Sequence, residues 1–156
     1  MRPYRLAAIA LCPLLLAASQ RPGRVCPDPA HPCRGFRAHD LSFVLPAGGV
    51  ARAEARSDSF YAVILRSAPR CSIPERDRAA AQARFPGRKV FSQRFACDDD
   101  VENNVGYTGV NASRAFLAVY AGSTRSQGSA TLAAVTRTRR FPGANLRRMQ
   151  VVYNYP

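Results

Sequence analysis

Apolar runs and stretches of helical spacing alternate along the second half of the chain, and they do so twice. Ser59–Ser67 is almost continuously apolar, the pattern of a central strand buried on both faces. A helix is predicted to start near Ser72, because Ser72 and Glu75 have capping-box spacing and Pro74 is tolerated in a first turn. Ala79, Ala80, Ala81, Ala83 and Phe85 give it a face of small residues, and Pro86-Gly87 stops it. Lys89–Ala96 reads as a second strand. The same order then returns. Ala115–Ala121 is a strand, Gln127–Arg140 a helix with Leu132 and Val135 inward, Pro142-Gly143 its stop and Leu146–Asn154 the last strand.

The residues repeat with the pattern. Phe60-Tyr61-Ala62-Val63 recurs as Phe116-Leu117-Ala118-Val119, Ser67 as Ser123, and Arg84-Phe85-Pro86-Gly87 as Arg140-Phe141-Pro142-Gly143. Every match lies at an offset of 56 residues, with eight identities in the 38 pairs between 60–97 and 116–153. Two βαβ copies in tandem predict an α+β fold of the ferredoxin-like βαββαβ kind. Its four-stranded antiparallel sheet would carry both helices on one face, with 60–66 and 116–121 side by side.

Ahead of the repeat the pattern breaks down. Residues 1–19 read as a secretory signal: Arg2 and Arg5 are the basic part, Leu6–Leu16 the apolar part, and Ala17-Ala18-Ser19 the cleavage site. The apolar part is short for a membrane span. Leu11, before Cys12, does not suit a lipoprotein signal. Residues 20–57 read as a Pro-, Cys- and Ala-rich extension, with 46–58 as a linker. Within it Leu41–Leu45 is either an added edge strand or a tail covering the core. Residues 58–156 form the domain.

Cleavage leaves Cys26, Cys33, Cys71 and Cys97, an even number in an exported chain. A right-handed βαβ unit puts the start of its helix and the end of its second strand at one edge of the sheet. Cys71 and Cys97 occupy those places and are expected to pair, leaving Cys26 with Cys33. His31 and His39 beside these cysteines match no zinc spacing, so no metal or other cofactor is expected. The acidic run Asp98–Asn104 lacks the alternate ligands and the glycine of a calcium loop and reads as a solvated loop. Asn111-Ala112-Ser113 is a glycosylation sequon.

The formal charge is +13, or +11 once Arg2 and Arg5 leave with the signal. This favours anionic partners; export argues against nucleic acid. Arginine outnumbers lysine 22 to one, which codon usage also explains. No phosphate loop, nucleophile elbow or His-Glu-x-x-His motif is present, and both histidines lie outside the repeat. An enzyme is not expected.

Alternation assigns the strand faces. Tyr61, Val63, Leu65, Leu117 and Val119 are expected inward, under the helices, and Phe60, Ile64, Arg66, Phe116 and Tyr120 outward. In the edge strands Phe91, Phe95, Met149, Val151 and Tyr153 are taken as core. Ser92, Arg94, Arg148 and Gln150 then join the open face. Phe60, Arg66, Ser92, Arg94, Phe116, Tyr120, Arg148 and Gln150 thus make a candidate ligand face. Aromatic rings stack on sugar C–H surfaces, and guanidinium groups supply paired donors.

An exported chain, a linker and a C-terminal βαββαβ unit, with Phe116–Ser123 leading into a helix, resemble a SPOR domain, the small bacterial envelope module. The likeness covers roughly 58–155, although Tyr61–Ser67 lacks the Gln usual in that family's first strand. The resemblance implies a periplasmic or secreted, non-catalytic protein binding peptidoglycan glycan strands, or another anionic envelope component, through the open sheet face. An interaction module whose sheet is plugged by 41–45 is the alternative, and a small exported enzyme or inhibitor a third.

Overall fold

The computed structural model describes residues 21–46, 54–94, 97 and 104–155. The signal segment, Cys12, Phe95, the acidic run at 98–103 and the middle of the linker lie outside the described residues. Among the described residues seven strands and two helices follow in order: β1 (Glu54–Arg56), β2 (Phe60–Pro69), α1 (Glu75–Arg84), β3 (Val90–Ser92), β4 (Val105–Tyr107), β5 (Arg114–Gly122), α2 (Arg125–Arg137), β6 (Asn145–Met149) and β7 (Val151–Asn154). The fold is α+β with two antiparallel sheets, one ordered β3-β5-β2-β6 and the other β1-β7-β4.

The opening strands of the two copies, β2 and β5, lie side by side, with Val63 opposite Val119 and Ile64 opposite Ala118. Their inward side chains, Val63, Leu65, Leu117 and Val119, share one core with Ala81 of α1 and Val135 of α2. Gly128 lets α2 settle closely. A Cβ there would lie 2.9 Å from a Leu146 methyl and 3.0 Å from Tyr61 Cβ. The repeat-related rings Phe85 and Phe141 meet at 6.4 Å on the edge of this core.

The helix starts differ from expectation. At α1 the capping box of Ser72 and Glu75 does not form: Pro74 is the N-cap, and Ser72 Oγ donates to Pro69 O instead. Glu75 and Asp77 in the first turn favour the positive end of the helix dipole. α2 begins earlier than Gln127, at Arg125, with a complete capping box between Thr124 and Gln127.

The last strand is two strands. At Gln150 the chain leaves the larger sheet as β6 and enters the smaller as β7. The chain makes the reverse passage at Ser57, between β1 and β2. The two crossings are tied together, as at other corners where strands change sheet. Ser57 N donates to Val151 O at 3.0 Å, Val151 N to Ser57 Oγ at 2.9 Å, and Gln150 Nε2 to Ser57 O at 3.0 Å.

The smaller sheet therefore lies over the face of β3-β5-β2-β6 that is turned away from the helices. Phe60, Ala62, Ile64, Phe91, Phe116, Ala118 and Met149 on that face form a second core with Val105, Tyr107 and Val151. Leu41 and Phe43 of the N-terminal segment complete it, both fully buried. The Tyr107 ring sits 5.2 Å from Phe91 and 5.3 Å from Phe116, and its hydroxyl accepts from Leu41 N at 3.0 Å. Tyr107→Phe should keep the ring packing and leave that buried N–H without its partner. The expected loss is about 1–3 kcal/mol, read as a lower urea midpoint at unchanged slope.

Both cysteine pairs expected from the sequence are joined. Cys26–Cys33 and Cys71–Cys97 have Cα separations of 5.8 and 5.6 Å. Two disulfides suit an oxidising compartment. Among the described residues no helix is long and apolar enough to cross a membrane.

Candidate functional site

The face expected to be open is covered, and this corrects the candidate surface. Phe60 and Phe116 are 1 % and 2 % exposed, inside the second core. Ser92 is buried too, opposite Leu117 on the helix side. Arg94 is 7 % exposed and donates to Ile73 O at 3.1 Å. The edge-strand faces are the reverse of those expected. Phe91 and Met149 lie away from the helices, and Arg148, opposite Tyr61, lies on their side. The physical reason is that both faces of the sheet are cores. The side carrying large apolar residues is then not diagnostic of the helix side.

Arg66 also changes side. The β2–β5 register slips between Ile64 and Arg66, a bulge that puts Arg66 opposite Leu117. There its guanidinium pairs with Asp77 of α1 at 2.7 Å. Gln150 is spent on the corner, its amide N accepted by Thr108 Oγ1 and its side chain donating to Ser57 O. The eight candidate residues therefore do not form one surface.

The covering segment is held by a polar cluster at the β3 edge. Ser92 N donates to His39 O, and Lys89 Nζ to Ala38 O at 2.7 Å. Asp40, 2 % exposed, accepts from Arg37 N and lies 3.5 Å from His39 Nε2. Burial first, and then the Arg94 charge, bring the His39 pKa down to about 4, so the ring is neutral at pH 7. Burial, with Arg78 nearby, also lowers that of Lys89. Full burial, then Asp40, raises that of Tyr107. Lys89 and the backbone of Ser92 tie the covering segment to β3; Asp98–Asp100, the acids that would partner a histidine in an enzyme, lie outside the described residues. Among the described residues no three His, Cys, Asp or Glu side chains gather as metal ligands.

Tyr120 is the member of the candidate aromatic set that stays part-exposed. Its ring packs on Phe60 at 5.8 Å with the planes tilted by 35°, and partial burial raises its pKa. Open clefts flank it on both sides. One, of about 330 Å³, runs to Ser123, Gln127 and Ala130; the other, of about 420 Å³, runs to Pro27, Asp28 and Gly87. Arg88 borders both. Asp28 has its carboxyl held below the usual range, first by the His31 ring that bonds it at 2.9 Å. A half-open ring with a guanidinium, a carboxylate, an amide and a hydroxyl around it can stack a flat ligand and bond its hydroxyl groups. Sequence reasoning missed Arg88 and Asp28. The signal for Arg88 was its place just after the Pro86-Gly87 stop, where the turn throws it to the surface.

The chain matches no family model, no curated protein and no solved structure.

Proposed function

We propose that the chain is an exported, non-catalytic binding module for a hydroxyl-rich envelope ligand, with peptidoglycan glycan the first candidate, and that Tyr120 is its stacking ring. The single observation behind this is the part-exposed Tyr120 ring, which lines two clefts that share Arg88. Support for a SPOR-like, ferredoxin-like unit comes from the strand order β3-β5-β2-β6, in which the two repeat-opening strands are central. The binding mode differs from the open-face mode of that family, because the middle of the face is filled.

The test is a pull-down on purified peptidoglycan, intact and stripped of stem peptides by an amidase. Tyr120→Ala should weaken retention by about 1–2 kcal/mol, and Arg88→Ala should weaken it less at high salt than at low, because exposed charge is screened. Retention unchanged by both substitutions rules out this site.

A covered sheet favours a second reading, an interaction module whose partner is an acidic protein. The observation is the plug formed by Leu41, Phe43 and Tyr107. Retention on envelope protein but not on glycan, with Tyr120→Ala silent, selects it.

A further inference from the structure

We infer that the opposite end of the covered face holds a second site, a pocket for a small organic anion built on Arg114 and Arg147. Register puts these residues together. Asn145 pairs with Ile64 and Arg147 with Ala62 across β6 and β2, while Phe116 pairs with Ser67 across β5 and β2. Paired residues share a face, and Arg114, two positions before Phe116, shares its side. The covering layer leaves a pocket of about 480 Å³ here, with Ile64, Val110 and Phe116 as apolar lining and Asn145, Arg114 and Arg147 as polar lining.

The wall is built closely. Gly109 stands at φ +76°, and a Cβ on it would fall 2.2 Å from the Arg148 carbonyl oxygen. Only glycine lets this loop lie against β6. Arg147 is oriented, its Nε donating to Asn145 Oδ1 at 2.9 Å. That bond leaves the terminal guanidinium nitrogens for a ligand.

Charge decides the ligand class. The sequence has no Asp or Glu after Glu102, yet seven Arg lie between Arg114 and Arg148. Neither Arg114 nor Arg147 is in an ion pair with a described carboxylate. Two guanidinium forks match a carboxylate or phosphate group. The apolar lining and a volume in the usual small-ligand range call for an anion carried on an apolar body. The site does not depend on the Tyr120 clefts and would survive their failure.

Phenyl phosphate, benzoate and neutral benzyl alcohol, titrated into the full chain and followed by amide NMR, test the assignment. The two anions should shift Gly109, Val110 and Asn145, and the alcohol should not. R114A and R147A should each weaken anion binding by about tenfold, with R147K retaining part of it. Both residues are exposed, so unchanged amide positions elsewhere establish that the variants fold. R125A and R139A, at exposed arginines outside the pocket, should leave binding as it was. Preference for phenyl phosphate or for benzoate assigns the head group, and inorganic phosphate should bind more weakly than its phenyl ester. Equal binding of the alcohol overturns the proposal. So does an equal loss in R125A and R139A, or the absence of any shift at millimolar probe.

Discussion

Replacing Cys71 and Cys97 together by alanine should lower the stability by about 3.5 kcal/mol, the chain-entropy value for the sequence separation of 26 that the bond closes. The bond joins the turn before α1 to the segment after β3. Its removal frees the unfolded chain and leaves the folded contacts in place. Urea unfolding should therefore show a lower midpoint and a steeper slope, since the uncrosslinked denatured state exposes more surface. A loss below about 1 kcal/mol at unchanged slope would mean that the denatured ensemble is already compact around this loop.

Phe43→Ala should cost about 3–5 kcal/mol, the usual range for removing a large buried ring. Phe43 is fully buried, 5.3 Å from the Phe36 ring, and its backbone pairs with Val25 in an isolated bridge. Gly23 is pressed so close that a Cβ on it would lie 2.5 Å from the Phe43 ring. A cooperative loss in urea, with near-UV circular dichroism and fluorescence changing together, shows that residues 23–43 are part of the core. If the segment is only draped over the sheet, the variant will instead bind a hydrophobic dye while its tertiary signal persists, and proteolysis will begin before residue 46.

The repeat made the central strands legible. A continuous apolar run buried on two sides leaves little choice of element, and the faces of Val63, Leu65, Leu117 and Val119 came out as alternation assigns them. Chain direction and crossover hand gave the Cys71–Cys97 pair. The miss of the covered face has one cause, which is that the second core announces itself weakly. Its covering strand β4 is three residues long, and β1 sits in a stretch rich in Ala and Arg. Nothing in the stretch Leu146–Asn154 marks Gln150 as the point where one strand becomes two. The bulge at Leu65 shifts Arg66 without any glycine to signal it. With the far face taken as open rather than plugged by 41–45, aromatic residues packed against a second layer look like a binding surface. Thr124 and Gln127 have the same capping-box spacing as Ser72 and Glu75, yet the box forms at α2 and not at α1, so spacing alone does not decide it.

Arg114 and Tyr120 stand on the same side of one strand, six positions apart, and a strand advances roughly 3.4 Å per residue. The two proposed contact points are thus held roughly 20 Å apart by a strand hydrogen-bonded on both sides, in a sheet pinned to its neighbour at Ser57 and Gln150. Such a strand acts as a ruler. Short ligands would occupy one end or the other with ordinary weak affinity. A stiff polymer bearing a sugar face and an acidic group at that interval would engage both, and its second contact would form at high effective concentration. Selection among envelope polymers would then rest on their length and rigidity as much as on the chemistry of any one unit.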